Sequence, residues 1–397
     1  MKIAVFIKST TFSGSYGGLE TQNKLLCEGL ALRGHKVTVF TPRIIKEKEL
    51  AIENGVKYIF VECKKAHYSS VTVSKKDSWV EKSYEVFREL QPEEKFELIV
   101  GQSSGAVGVI RNKEEFGLPI ISISHGTKIG ELQTKFKSDP SIKGLLKAVL
   151  DLPHVLKNFF TVQREFVHGS SVIVAVSNFV KRALIDETFV EDAKVRVINN
   201  GIKPLQVETV ESDRGAVGKF RLLYVGQLIR SKGIGKLAEI IVREDMKDFT
   251  LDIVGSGDLQ EELGVISGKS GGRITLRGKL DYAEVLRMYN PARFDAFVFP
   301  TSRLEGFPMV LVEAMFGQLP IVAFNLGGVS DAVTDGETGY LVNPGKFFVF
   351  RSKLNELKDN PDLARRMGVN AVNEAMGRFT LDKMLDSYEE IFKELKV

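Results

Sequence analysis

Cysteine is scarce in this 397-residue chain: Cys27 and Cys63 are its two. Two cysteines build neither a disulfide framework nor a thiolate zinc site, so an ordinary hydrophobic core in a reducing compartment is expected. Long apolar runs are missing as well. The opening Met1-Lys-Ile-Ala-Val-Phe-Ile-Lys8 is too short for a signal peptide and reads as a strand, and no stretch reaches transmembrane length. A cytoplasmic protein is therefore expected, with docking at a membrane surface left open. Charge of one sign is also lacking, since 55 Lys and Arg face 51 Asp and Glu for a net charge of +4. That balance argues against a nucleic-acid partner. The small basic excess lies in the first half: residues 1–203 give 30 − 23 = +7, and the remainder 25 − 28 = −3. It fits either an anionic acceptor or membrane surface, or scattered solvated lysines. The five histidines have no metal-cluster spacing, and Asp-x-Asp does not occur.

What is present is alternation. Short apolar runs at Ile3–Ile7, Val37–Phe40, Val56–Val61, Leu98–Gly101, Pro119–Ser124, Val172–Val176 and Val195–Ile198 are separated by helical patterns. After a polar stretch from Asn199 to Gly218, read as a linker, the alternation restarts with Phe220–Val225, Phe249–Val254, Arg273–Leu276, Asp295–Phe299 and Leu319–Ala323. Such alternation makes βαβ units. The expected architecture is α/β, with two doubly wound parallel-sheet (Rossmann-like) domains facing across a cleft. The first spans residues 1–203 and the second 204–378. Ligands of such sheets bind outside the carboxyl ends of the strands.

The most informative stretch runs from Thr301 to Met315. The apolar run ending at Pro300 is followed by a loop and then a helix, with Pro308 suited to the first helical position. The next amides, of Met309 and Val310, should point out of the helix start, where the macrodipole favours an anion. The helix is apolar on nearly every side down to Gly317, so Glu313 is expected to be buried. Lys and Arg are absent three or four residues away. Glu305 and Glu313 thus bracket an anion-binding helix start. Carboxylates accept hydrogen bonds from diols, so the pattern asks for hydroxyls at both ends and phosphate in the middle, the layout of a nucleotide sugar. The other reading is a buried Glu satisfied from elsewhere in the chain and an incidental loop Glu.

Further candidates fall at other strand ends. Gly14-Ser-Tyr-Gly17-Gly18-Leu19-Glu20 precedes a helix. Its glycines either admit a phosphate or merely serve a turn, and the G-x-G-x-x-G pattern of an NAD site is missing. Ser124-His125-Gly126 places a histidine where an α/β site should be, although lone histidines are often satisfied side chains. Between Lys128 and His168, apolar Leu145, Leu146, Val149, Leu152, Val155, Leu156, Phe159 and Phe160 interleave with Lys143, Lys147 and Lys157. The stretch reads as one or two amphipathic helices broken at Pro153, suited to core packing or to acceptor and lipid contact. In Val225-Gly226-Gln227-Leu-Ile-Arg230-Ser-Lys232-Gly233, Lys232 could meet a phosphate and Arg230 offer a fork of donors; a solvated basic loop is the alternative. Asp258 after Gly255-Ser-Gly257 is a plausible helix cap. Gly327-Gly328 and Gly336-Glu-Thr-Gly339 read as backbone devices.

Taken in order, Gly17 to Glu20, Ser124 to Gly126, Ala175 to Ser177, Val197 to Ile202, Gly226 to Gly233, Ile253 to Gly257 with Glu261 to Leu263, and the Glu305 to Glu313 block resemble the GT-B glycosyltransferases of family 4. The resemblance covers essentially the whole chain, and the Glu-x7-Glu block enclosing Gly306-Phe307 is its specific part. It implies a retaining transferase moving a hexosyl group from a UDP- or GDP-sugar to a carbohydrate, lipid-linked or small-molecule acceptor. No cofactor and no obligatory metal are expected. By that resemblance His125 and Glu305 contact the transferred sugar as the catalytic pair. Gly18, Gln227, Arg230, Lys232, Gly306, Phe307, Met309, Val310, Leu311 and Glu313 bind the donor, Glu313 through the ribose hydroxyls and Lys232 through the diphosphate. Family members typically carry Arg where this chain has Gln227; Arg230 is a possible substitute. Phe379 to Val397 resembles the family's final helix, which crosses back onto the first domain. A nucleotide-sugar epimerase of the same fold and a non-catalytic nucleotide-sugar sensor are the alternatives.

Overall fold

The computed structural model describes residues 1–13, 17–43, 49–64, 77–138, 142–205 and 218–396. The expected glycine turn at Gly14 to Tyr16 and most of the expected linker lie outside those residues. The chain divides into two compact units, the first made of Met1–Ile129, Asp151–Gly201 and Leu381–Val397, the second of Gly130–Leu150 and Ile202–Thr380.

The first unit is built on eight strands: β1 (Lys2–Phe6), β2 (Lys36–Pro42), β3 (Leu50–Glu53), β4 (Val56–Val61), β5 (Leu98–Gln102), β6 (Ile120–Ser124), β7 (Val172–Ala175) and β8 (Val195–Val197). They lie in the order β3-β4-β2-β1-β5-β6-β7-β8, parallel throughout except for β3 against β4. Strand β3 departs from the sequence expectation. Asn54 (φ 48°) and Gly55 (φ 80°) make the tight positive-φ turn of a two-residue hairpin. That Asn-Gly pair was the available signal. Inside its edge strands β3 and β8 the sheet is largely buried on both faces, as βαβ crossovers require, and Phe6 stacks on Phe40 with centroids 4.7 Å apart. Each such buried ring contributes about 1.5–3 kcal/mol.

The C-terminal helix Leu381–Glu394 belongs to this unit and packs on helix Gly18–Leu32. Close approach is possible because Gly29 has no side chain; a Cβ there would lie 2.7 Å from Leu385 Cδ1. Arg33 donates to Asp386 at 2.6 Å and to Glu389 at 2.8 Å, pinning the helix.

The second unit carries β9 (Phe220–Val225), β10 (Phe249–Val254), β11 (Ile274–Gly278), β12 (Ala296–Phe299), β13 (Ile321–Phe324) and β14 (Gly339–Val342), ordered β11-β10-β9-β12-β13-β14 and all parallel. Strand β14 begins at Gly339, the last residue of the turn expected at Gly336 to Gly339. Gly339 opens it because a Cβ there would lie 2.1 Å from Ile321 O, so only glycine lets this edge close. Chain order reverses between β9 and β12, and a ligand crevice in such a sheet forms at that reversal.

Two local expectations are corrected. Helix Ile142–Asn158 runs through Pro153 without breaking. Pro153 is exposed, so the carbonyl that loses its amide partner can turn to water. A π-helical turn, Phe159–Gln163, follows instead. Asp258 is not a cap: helix Gln260–Gly268 begins after Leu259 without a side-chain cap, its first amide bonding Gly257 O at 3.0 Å. Among the described residues, no helix is long and apolar enough to cross a membrane.

Candidate functional site

Glycine loops shape the reversal point in the second unit. After β9 the chain turns through Gly226 to Leu228, and the loop after β10 is pressed against it. A Cβ at Gly255 would lie 1.9 Å from Gly226 O, and one at Gly257 2.6 Å from Leu228 O. Leu228 N–H donates to Ser256 O at 2.9 Å and Leu259 N–H to Leu228 O at 2.8 Å, so the two loops form one rigid ledge. The ledge continues into a single 3-10 turn, Arg230–Lys232, closed by Gly233 at φ 71°. A Cβ at Gly233 would lie 1.9 Å from Pro300 O, so its missing side chain brings the β9 and β12 loops together. Ser302 N–H completes the junction by donating to Ser231 O at 2.8 Å.

That junction puts Lys232 against Glu305. The Lys232 ammonium donates to Glu305 Oε1 at 2.6 Å, with side-chain exposures of 15% and 13%. Thr301 Oγ1 donates to the same oxygen at 3.1 Å, and the ammonium lies 5.5 Å from the centre of the Phe299 ring. Glu305 Oε2 has no partner among the described residues. Backbone geometry fixes this carboxylate further. Glu305 O accepts from Gly328 N–H at 2.7 Å, and a Cβ at Gly327 would lie 2.3 Å from Glu305 O. The Gly327-Gly328 pair is thus the backbone device expected, and what it holds is the Glu305 loop.

Gly306 and Phe307 lead into the helix Met309–Phe316. Pro308 is not its first helical residue. With ψ 112° it is the extended N-cap, its carbonyl accepting from Leu311 N–H at 3.1 Å, because a non-helical residue is needed to turn the chain from the Glu305 loop. The amides of Met309 and Val310 have no acceptor among the described residues and are the unpartnered donors of the helix start.

One and a half turns on, Glu313 is 4% exposed. Among the described residues, no cation matches its carboxylate. Tyr289 OH donates to Oε2 at 2.8 Å and Tyr282 OH to Oε1 at 3.3 Å. Burial pushes the carboxyl up to about 7 while the tyrosine hydrogen bonds pull it down. Both tyrosines are in turn raised by burial and by the Glu313 charge. These partners come from the short helix Tyr282–Met288, capped by Asp281, and from Tyr289 directly after it. Neither tyrosine was singled out from the sequence. Their seven-residue spacing is the only signal, and it does not say what either ring meets.

The remaining residues are more exposed. Gln227 points outward, while its carbonyl accepts from Tyr224 OH at 2.9 Å. Arg230, 72% exposed at the side chain, reaches Glu262 at 3.3 Å. Lys232, Glu305, Gly306, Phe307 and the Met309–Leu311 turn are brought together, with Glu313 deeper along the same helix.

In the first unit the reversal lies between β1 and β5. His125, one residue beyond β6, meets Gln102 Oε1 through Nε2 at 2.7 Å. Gln102 donates onward from Nε2 to Gln22 Oε1 at 3.0 Å and to Asn23 Oδ1 at 3.1 Å. With that amide orientation, Nε2 of the imidazole carries the proton, and burial holds the ring's pKa down to about 4. The histidine is therefore neutral, with Nδ1 as an acceptor. Gly18 opens helix Gly18–Leu32 behind Gly17, which offers no side-chain cap, and a Cβ at Gly18 would meet open space.

Two doubly wound units, each with its candidate residues at the carboxyl ends of the strands, define the GT-B fold. Residues 16–204 match the model of Glycosyltransferase Family 4 and residues 208–374 that of Glycosyl transferases group 1. The chain belongs to the family 4 glycosyltransferases of GT-B fold and is a transferase. Among its relatives is an uncharacterized glycosyltransferase of Methanocaldococcus jannaschii, 25% identical, with 98% of this chain and 99% of that one covered. Of solved structures, sucrose-phosphate synthase from Thermosynechococcus elongatus superposes with a TM-score of 0.80 at 20% identity, covering 99% and 98% of the two chains. Anabaena HepE in complex with UDP-glucose gives 0.73 at 18% identity, covering 99% and 100%. These chains are similar in fold to this one.

Proposed function

We propose that this chain transfers a hexosyl group from a UDP- or GDP-sugar to an acceptor hydroxyl with retention of anomeric configuration and without an obligatory metal. The observation that carries the reading is the convergence, at the β9/β12 reversal, of a paired Lys232 and Glu305, the two unpartnered amides of Met309 and Val310, and the buried carboxylate of Glu313. In this proposal Glu313 holds the ribose hydroxyls, Glu305 the transferred sugar, and Lys232 with the turn Gly306–Leu311 the diphosphate. Gln227 and Arg230 border the phosphate end. In the first unit, His125 contacts the sugar and Gly18 the phosphate.

As the glycosidic C–O bond breaks, negative charge grows on the β-phosphate and positive charge on the ring. Fixed amides and an ammonium stabilise the phosphate charge, and one such donor is worth about a hundredfold or more in rate. The acceptor oxygen attacks from the side the diphosphate leaves, and a phosphate oxygen takes its proton. Glu305, held by Thr301 and the Gly327 backbone, orients the sugar hydroxyls during transfer.

A lipid-linked acceptor at a membrane surface, met by a peripheral cytoplasmic enzyme, is the acceptor side of the same proposal. Leu146, Val149, Leu150, Leu156 and Phe160 are exposed along residues 146–160, which supports it, whereas Val155 and Phe159 are buried. The side chains of Lys143, Leu145 and Lys147 lie outside the described residues. Flotation with anionic vesicles tests this part.

The central test is a thermal-shift screen of UDP-, GDP- and ADP-sugars, followed by turnover of the stabilising donor across an acceptor panel, with and without EDTA. A product of retained anomeric configuration, formed equally in EDTA, is expected. An inverted product, or activity lost to EDTA and restored by magnesium, refutes the corresponding claim. Release of an epimerised sugar, or binding with no turnover on any acceptor, would favour the epimerase or the sensor.

A further inference from the structure

We infer that Tyr289, assisted by Tyr282, is a positioning residue for donor binding, presenting the Glu313 carboxylate to the ribose diol with one free acceptor position on each oxygen. The inference rests on the proposed role of Glu313. An ionised carboxylate accepts about four hydrogen bonds, two at each oxygen. Tyr289 uses one position on Oε2 at 2.8 Å and Tyr282 one on Oε1 at 3.3 Å. What remains is one position per oxygen, which matches the two donors of a vicinal diol.

The tyrosines are built into place. A Cβ at Gly317 would lie 2.5 Å from Tyr289 Cβ, so the glycine ending the Glu313 helix makes room for this side chain. The Tyr289 ring also packs on Phe297 of β12, with centroids 5.7 Å apart. Tyr282 stands at the start of its helix behind the Asp281 capping box. The elements packed against the Glu313 helix are β13 and helices Val329–Ala332 and Pro361–Arg378. The residues they bury are apolar or glycine, such as Val329, Ala332, Met367, Gly368 and Ala371. Their charged residues Asp331, Asp362, Arg365, Arg366, Glu374 and Arg378 are not buried. Among the described residues, the two tyrosines are thus the titratable groups that touch this carboxylate. Without a ligand it titrates near neutrality, burial raising it to about 7 against the pull of the phenols. The diol binds the ionised form, so binding at neutral pH releases protons.

The test is the pH dependence of affinity for UDP-glucose, GDP-glucose or ADP-glucose, whichever binds wild type most tightly, since their diphosphates do not ionise in this range. For wild type, affinity is expected to fall about tenfold between pH 8 and pH 6. Tyr289→Phe keeps the ring and removes one hydrogen bond to the anion, so the midpoint should rise by about one unit. Binding is then weakened about fivefold at pH 7 and recovers by pH 9. Tyr282→Phe should shift it less, in the same direction. A Tyr289→Phe profile displaced equally at all pH values, or with an unmoved midpoint, overturns the inference and leaves the tyrosine a packing role. Unchanged affinity in Glu313→Ala, undiminished affinity for the 2′-deoxyribose donor, or no binding of any of the three donors overturns the ribose assignment beneath it.

Discussion

Glu313→Gln should stabilise the ligand-free protein, and its effect should grow with pH. The carboxyl is raised from 4.5 to about 7 in the fold. A raised acid binds protons more tightly folded than unfolded, so its contribution to stability is most favourable below the unfolded value and is lost as pH climbs to about 7. A shift of about 2.5 units corresponds to about 3 kcal/mol at full burial. The amide keeps the shape and carries no charge, though it returns part of the gain by weakening the Tyr289 bond, so about 2 kcal/mol is expected at pH 8. For a unit of this size that is about 4–8 °C in melting temperature. Melting curves of both proteins, followed by circular dichroism from pH 5 to pH 8, should diverge as pH rises. A gap that is constant or narrows over that range would refute the idea that the fold bears the cost of ionising Glu313. With donor sugar at saturation the order should reverse, since only the carboxylate offers two acceptors to the diol.

Lys232→Ala and Glu305→Ala should each lower transfer about a hundredfold or more. Each also leaves a largely buried charge unpaired, at about 1–3 kcal/mol after allowing for residual exposure. The double variant should regain much of that stability, but no activity, in a double-mutant cycle of melting temperature and initial rate. Gly233→Ala should cost well over 3 kcal/mol and abolish turnover, because its Cβ would strike the Pro300 carbonyl at positive φ. Gly336→Ala, at φ 77° in open space, should cost about 1 kcal/mol and leave the rate unchanged, as thermal melts and a turnover assay would show.

Pattern made twelve of the strands legible. Runs such as Phe220–Val225 and Phe249–Val254 are apolar because both sheet faces are covered, and that requirement is written in the residues themselves. Strands β3 and β14 escaped because each offers an apolar run of only three residues, Leu50–Ile52 and Tyr340–Val342, beside a glycine turn. Pro308 stands one residue before its expected place in the helix for a related reason: the residue type suits both positions, and only the direction of the preceding chain selects between them.

Residue chemistry and spacing along the chain were enough to bury Glu313, to leave the first amides of its helix open, and to set Lys232 and Glu305 at strand ends. They could not pair those two groups, which stand 73 residues apart and meet because β9 and β12 are neighbours in the sheet and Gly233 lets their loops touch. Nor could they supply the phenols around Glu313. Periodicity describes one segment at a time, whereas a buried anion takes its partners from whatever the folded sheet order brings beside it, and that is decided only when the segments pack.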